Sequence, residues 1–184
     1  LSSLGRRLLR DKEKVTIDLL GSAALVLGYQ CWPKANDIDV RWNPLDSFVL
    51  EPLIAEIGKK SKHPRGGSWM NSAISDIIPE DGKWLKTMRY GNLQVRVPSP
   101  EFLMSVLIRA LHSCEAGNSE YPPYGKAAAE CLALASSQRW VYEDIMKKTE
   151  CFFPRGVPPV CAGWMDVIFD KNGLGKRHDW FEMR

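Results

Sequence analysis

The sequence predicts a mixed α/β (α+β) fold with a helical C-terminal part, and three observations lead there. Residues 36–42 and 93–97 alternate apolar and polar side chains, the period of a strand with one buried face. Residues 102–112 and 126–136 are apolar or alanine-rich runs of helical length. Between residues 15 and 40 the chain reads strand, glycine turn, helix, strand, which interleaves both element types in one core.

Each element follows from its residues. Residues 1–14 read as a basic N-terminal helix or arm, crowded by Arg6, Arg7, Arg10, Lys12 and Lys14. Residues 15–20, VTIDLL, form a β-branched and aliphatic run that stops at Gly21-Ser22. The following SAALVL favours a helix, and Gly28 stands where a helix C-cap would. After Pro33, the segment NDIDVRW places Ile38 and Val40 on one face and Asp37, Asp39 and Arg41 on the other. Pro44 opens one helical stretch and Glu51-Pro52 a second, finishing at Lys59-Lys60.

Residues 61–92 are irregular, with turns at Gly66-Gly67 and at 79–82, and a short helix or strand plus loop over 69–78. In LQVRV (93–97), Leu93, Val95 and Val97 point inward. Ser99-Pro100-Glu101 then supplies a cap, a proline at the first helical position and an acid at the positive end. The helix over 102–112 is apolar nearly all round and should be deeply buried. A loop at 115–124, a helix at 126–136 and an amphipathic segment at 140–148 follow. Residues 151–184 read as an irregular C-terminal appendage packed on the same core.

Composition narrows the class. The chain has 184 residues, 45% hydrophobic and 26% charged, which fits one domain over 15–150 with the two flanking pieces. Seven Trp, five Tyr and six Phe exclude disorder. The longest apolar run, 23–27, is far short of a membrane-crossing helix, so no membrane partner is expected. Lys+Arg 25 against Asp+Glu 22 gives a net charge of +3, too small to announce nucleic acid. It is uneven, however: Lys59, Lys60, Lys62 and Arg65 form a second basic cluster besides the N-terminal one, and both read first as solvated surface. Five cysteines with no C-x-x-C and no His at metal spacing argue against a zinc site or a disulfide scaffold. With no visible signal peptide, reduced thiols in a cytoplasmic protein are expected.

Chemistry concentrates at Gly21-Ser22 and Asp37-Ile38-Asp39. Two carboxylates on one strand face can hold a hard divalent cation such as Mg²⁺. Beside them, a glycine turn entering a helix offers backbone N–H groups and the Ser22 hydroxyl to a phosphate. Metal and phosphate cradle together are the equipment of nucleotidyl transfer. The bland alternative is a solvent-facing acidic strand beside an ordinary helix cap; the order strand, Gly-Ser, helix, D-x-D strand argues for a site.

GSAALVLG (21–28) followed by NDIDV (36–40) resembles the first motif of the minimal nucleotidyltransferase superfamily. The branch it is most similar to contains the toxins of type IV abortive-infection toxin–antitoxin systems and their uncharacterised bacterial relatives. Trp69-Met-Asn71, YGNL (90–93) and VPSPEFL (97–103) resemble further segments of those relatives, so the likeness covers roughly 15–138. It implies a mixed sheet flanked by helices, with Gly21 and Ser22 on the nucleotide phosphates and Asp37 and Asp39 as catalytic residues binding Mg²⁺. It implies transfer of a nucleoside monophosphate from an NTP to an RNA or protein acceptor, and a cognate antitoxin as partner.

The departures from the family are equally specific. Pro33 and Ala35 stand where Arg-x-Thr or Arg-x-Ser is common, leaving Lys34 as the nearby cation for a phosphate. LIRA (107–110) replaces Lys-Leu-x-Ala, and Lys126 precedes Ala127 rather than Asp. Residues 93–97 carry Gln94 and Arg96 outward where polymerase-like members place a third carboxylate, and an arginine beside the metal site would compete for its charge. Glu130 and Asp18 are the other acids that could supply a third carboxylate. These losses leave a second reading open, a catalytically degenerate relative that binds a nucleotide or partner through the same cleft. Arg109, inside an apolar helix, either snorkels or pairs with the D-x-D region. Trp32 or Trp42 could stack on a base. His112 and Cys114, two apart on a helix, do not face one another and read as incidental.

Overall fold

Five strands carry the fold in the computed structural model, which describes residues 1–63, 65–72, 82–113 and 125–169. They are β1 (Val15–Leu19), β2 (Ile38–Trp42), β3 (Met70–Asn71), β4 (Trp84–Tyr90) and β5 (Leu93–Pro98), in the order β3-β2-β1-β5-β4. β1 runs antiparallel to β2 and parallel to β5. β3 lies parallel to β2, and β4 antiparallel to β5, so the sheet is mixed. Alternation sets the faces: Val15 and Ile17 stand in register with Leu93 and Val95, all buried. On the opposite face Asp18 is in register with Arg41 on one side and Arg96 on the other.

Among the described residues seven helices flank the sheet: α1 (Ser2–Arg10), α2 (Gly21–Ala24), α3 (Ser47–Lys60), α4 (Pro100–Ala110), α5 (Gly125–Gln138), α6 (Tyr142–Thr149) and α7 (Pro159–Ile168). The fold is therefore a mixed α/β (α+β) one. None of the described helices is long and apolar enough to cross a membrane.

The basic N-terminal segment is helical and joins the core. Leu4, Gly5 and Leu8 form its buried stripe, packed on α3, β4 and β5. Burying two leucines contributes about 1.5–3 kcal/mol each. The docking needs a glycine: a Cβ at Gly5 would fall 1.6 Å from the Tyr90 carbonyl oxygen.

α4 begins where its cap residues place it, the Phe102 N–H donating to the Ser99 hydroxyl at 3.3 Å with Pro100 in the first turn. Its residues from Phe102 to Ile108 are all buried, and it packs against α5, α6 and α7. In α6, Ile145 and Thr149 form the buried side of the amphipathic segment.

Several local expectations change. Gly28 is not a cap; it lies inside a wide helical turn, Leu25–Tyr29, that continues α2, and Gln30 takes the left-handed position at φ 55°. A Cβ at Gly28 would meet Val97 Cγ1 at 2.6 Å, so the glycine serves close packing instead. The two helices expected after Pro44 are one, α3, with Pro52 inside it. The carbonyl that Pro52 leaves without a helical donor belongs to Phe48, and both residues are exposed, so water can satisfy it. The region 61–92 holds two strands rather than irregular chain alone: β4 is an edge strand, exposed along most of its length, and so lacks a clean hydrophobic alternation.

Within 151–169 the chain forms α7, whose Cys161, Met165 and Ile168 are buried. Proline at its first turn starts this helix, where proline content alone reads as irregular. The expected turn at 79–82 except Gly82, most of 69–78, the loop at 115–124, Cys114 and 170–184 lie outside the described residues. Of the five cysteines, Cys31, Cys131, Cys151 and Cys161 are described, and all four are free thiols.

Candidate functional site

The site forms where β1 ends. Leu20 N–H donates to the Asp39 carbonyl at 2.9 Å, tying the turn after β1 to β2. Gly21 follows at φ +49°, in the left-handed region, and a Cβ there would sit 2.9 Å from Asp39 Oδ2. Glycine thus makes the turn and leaves the space in which the Asp39 carboxylate rests against the backbone.

Asp39 is paired in register with Asn71 of β3, whose side chain hydrogen-bonds it. Asp37, just before β2 begins, receives Arg65 Nη1 at 2.8 Å. Burial, and then the neighbouring Asp37 charge, push the Asp39 carboxyl above the ordinary aspartate range, while Lys126, Asn71 and Arg65 pull the other way.

The third wall is α5. Glu130 is buried and accepts a hydrogen bond from the Ser22 hydroxyl, and Lys126 Nζ, one turn earlier, stands 3.5 Å from Glu130 Oε1. Burial raises the Glu130 carboxyl above the usual glutamate range; Lys126 and Ser22 oppose the shift, and the Asp39 charge adds to it. Asp39 and Glu130 therefore belong to one electrostatic cluster, with Ser22 and Lys126 between the turn and the helix.

Among the described residues no group of three or more His, Cys, Asp or Glu is arranged to hold a metal ion. Asp37 and Asp39 offer two carboxylates, and Mg²⁺ commonly takes one or two carboxylates plus substrate phosphates and water.

No family model, curated protein or solved structure matches this chain.

Of the residues singled out in the sequence, Gly21, Ser22, Asp37 and Asp39 lie around one turn, although the Ser22 hydroxyl is engaged by Glu130. Lys34 is exposed and makes no hydrogen bond or ion pair among the described residues; the lysine that reaches the cluster is Lys126. Asn71, Arg65 and Lys126 were not foreseen as site residues. The one local signal for them is the i, i+4 spacing of Lys126 and Glu130, which puts both on one helix face.

Asp18 is 3% exposed and is held from both neighbouring strands, by Arg41 Nε at 3.1 Å and by Arg96 Nε and Nη2, the latter at 3.0 Å. The Arg96 guanidinium also lies 4.2 Å from the centre of the Trp84 ring. Asp18 is thus tied into the sheet, and Arg96 directs its charge to Asp18. The arginine that competes for a proposed metal ligand is Arg65, on Asp37.

Arg109 does not reach the D-x-D strand. Its Nη1 donates to the Ser105 carbonyl at 3.3 Å, its Nη2 to the Phe152 carbonyl, and the guanidinium covers the Phe153 ring at 4.2 Å. It fastens α4 to the segment before α7, because these carbonyls and this ring lie at its own end of the helix. Trp42 donates its indole N–H to the Ser47 hydroxyl at 2.9 Å and alternates with Arg41, so it faces away from Asp39 and cannot stack on a base there. Trp32 is partly buried against the core. His112 Nδ1 lies 2.8 Å from the Arg109 carbonyl, within its own helix end.

Proposed function

We propose that this protein binds a nucleoside triphosphate with Mg²⁺ at the turn between β1 and α2 and transfers its nucleoside monophosphate to an RNA or protein acceptor. The observation that supports the reading is the packing of the Asp39 carboxylate against Gly21, beside Asp37 and in front of Ser22 and Glu130. Mg²⁺ fits this donor set. The ligands are hard carboxylate oxygens, and a half-buried Asp39 whose charge is disfavoured by Asp37 gains from a cation.

Asp37 and Asp39 would hold the metal, which when bound supplies charge neutralisation on the triphosphate. The chain's own groups do the positioning. Glu130 accepts a hydrogen bond from the buried Ser22 hydroxyl and so anchors the turn, whose backbone would meet the ligand. Lys126 contributes a cation within reach of Glu130, close enough to Asp39 to oppose the rise in its pKa. A leaving pyrophosphate would be favoured by that ammonium. Such chemistry belongs to a cytoplasmic protein with NTP supply, and in a toxin-like setting a cognate antitoxin would cover this cleft.

The second reading, a non-catalytic nucleotide or partner binder, is favoured by two contacts: Arg65 on Asp37, and Arg96 where a third strand carboxylate is common. Incubation with each α-labelled NTP, Mg²⁺ and either total RNA or lysate protein separates the two. Label transfer that falls by about 100-fold or more in Asp37→Asn and Asp39→Asn supports the enzyme. Mg²⁺-dependent NTP binding by calorimetry with no transfer to any acceptor supports the binder. Absence of both Mg²⁺ and NTP binding overturns the site.

A further inference from the structure

We propose that the outer face of α1 and the C-terminal end of α3 form one surface for the phosphodiester backbone of a nucleic-acid strand. The surface leads toward Asp37. In the sequence the two basic clusters are separate; the packing of α1 on α3 makes them neighbours.

Glu56 of α3 marks the seam. It pairs with Arg7 Nη1 at 3.3 Å and with Lys60 Nζ at 2.6 Å, and Arg10 is near enough to help hold its carboxyl below the usual glutamate range. Helical period then orders the face: with Leu4 and Leu8 buried, Arg7 flanks α3 while Arg6 and Arg10 point outward. The cations Arg6, Arg7, Arg10, Lys59, Lys60 and Lys62 are set against the carboxylates of Asp11 and Glu56. Arg6, Lys59 and Lys62 have no ion pair among the described residues. The turn after α1 adds Lys12 and Lys14 against Glu13.

Two features select a phosphate backbone over a protein partner. Protein interfaces centre on an apolar patch, and this surface has little: Leu9 is the large apolar side chain exposed on α1, and Phe48 lies at the far end of α3. A set of cations on two neighbouring elements suits a chain of evenly spaced phosphates, which is held by charge without base readout.

The end of α3 also lies close to the candidate site. The chain from Lys60 folds back on α3, with His63 N–H on the Gly58 carbonyl at 3.0 Å, and Arg65 then reaches Asp37 at 2.8 Å. A strand held at the end of α3 would thereby lie near Arg65 and the Asp37 it pairs with. That direction rests on the nucleotidyl-transfer reading; the binding itself does not.

The test is fluorescence anisotropy of the full chain with a labelled single-stranded RNA, and with DNA of the same sequence. Inorganic salt is varied, and polyglutamate is titrated in parallel. RNA binding should weaken with salt, with a log–log slope of about −2 to −3. The triple variant Arg6→Gln, Arg10→Gln, Lys59→Gln should bind at least about tenfold more weakly, with a slope smaller in magnitude by about 2. The charge-retaining triple Arg6→Lys, Arg10→Lys, Lys59→Arg should restore binding, which separates charge from folding. Binding of RNA and DNA alike supports pure backbone recognition, and a preference for RNA adds the 2′-hydroxyl to it.

Unchanged RNA affinity in the Gln variant, or polyglutamate held as tightly as RNA, overturns the proposal. Intact RNA binding with no label transfer removes only the enzymatic reading. Transfer to a protein acceptor without RNA binding removes only this one.

Discussion

Ser22 and Glu130 lie 108 positions apart and meet in a buried hydrogen bond, the Ser22 hydroxyl donating to Glu130 Oε1. The contact seats α5 on the glycine turn. It also means that the Ser22 hydroxyl, itself buried, is turned to a carboxylate and not to solvent. Ser22→Ala leaves that buried acceptor one donor short and should cost about 1–3 kcal/mol of stability, read by urea denaturation. A loss well under that would mean that the hydroxyl contributes little to holding α5.

Glu130 makes stability depend on pH in a defined direction. Its folded-state pKa lies above the ordinary glutamate value because burial disfavours the carboxylate. Between those two values the folded chain binds a proton that the unfolded chain has released, so stability falls as pH rises through that window. Glu130→Gln cannot titrate. Its stability relative to the parent should therefore improve as pH rises from the glutamate model value of 4.5, then level off above the raised pKa. Parallel stability profiles for the two proteins would show that Glu130 is ionised with little cost.

Asp18 is the acid whose loss should be felt most. It is 3% exposed and shared by Arg41 and Arg96, so Asp18→Asn leaves two guanidinium groups facing a neutral side chain. Because both guanidinium groups left behind are part-exposed, the loss is about 1.5–3 kcal/mol, that of a hydrogen bond to a charged group. Arg96→Met, which keeps apolar contact with Trp84 and leaves Arg41 on Asp18, should cost distinctly less. Thermal melts of the two variants give the order, and the reverse order would assign the network's main support to Arg96.

Arg65 and the proposed Mg²⁺ compete for Asp37. The arginine side chain is 51% exposed, and such a pair is worth at most about 1 kcal/mol. Arg65→Ala should therefore leave stability nearly unchanged and tighten Mg²⁺ binding by up to about fivefold in calorimetry. Weaker Mg²⁺ binding in the variant would mean that Asp37 is a partner of Arg65 and no ligand of the metal.

Legibility along the chain follows burial. β2 and β5 are readable because each has one face toward the core, which imposes a period of two on Ile38 to Val40 and Leu93 to Val97, and β1 because its β-branched and aliphatic run stops at a glycine. β4 is not: at the sheet edge its Leu85, Lys86, Thr87 and Arg89 are all exposed, and exposure removes the pattern. Gly28 misled because a cap glycine and a packing glycine look alike locally; only Val97, brought over by the sheet, distinguishes them. Pro52 misled because a proline at a solvated helical position costs less than one facing the core.

The sequence by itself determined the strand that carries Asp39, the glycine turn that precedes it and the helix start at Ser99. Each is set by backbone sterics and short-range hydrogen bonding within a few residues. Tertiary structure alone decided which partner each acid receives: Arg65 for Asp37, Asn71 for Asp39, Ser22 and Lys126 for Glu130, Arg41 and Arg96 for Asp18. Most of these partners come from distant segments, and the pKa of a carboxylate depends on its burial and nearby charges rather than on its neighbours in sequence. Two aspartates in a strand state what a site could bind; the packing around them sets the charge it presents.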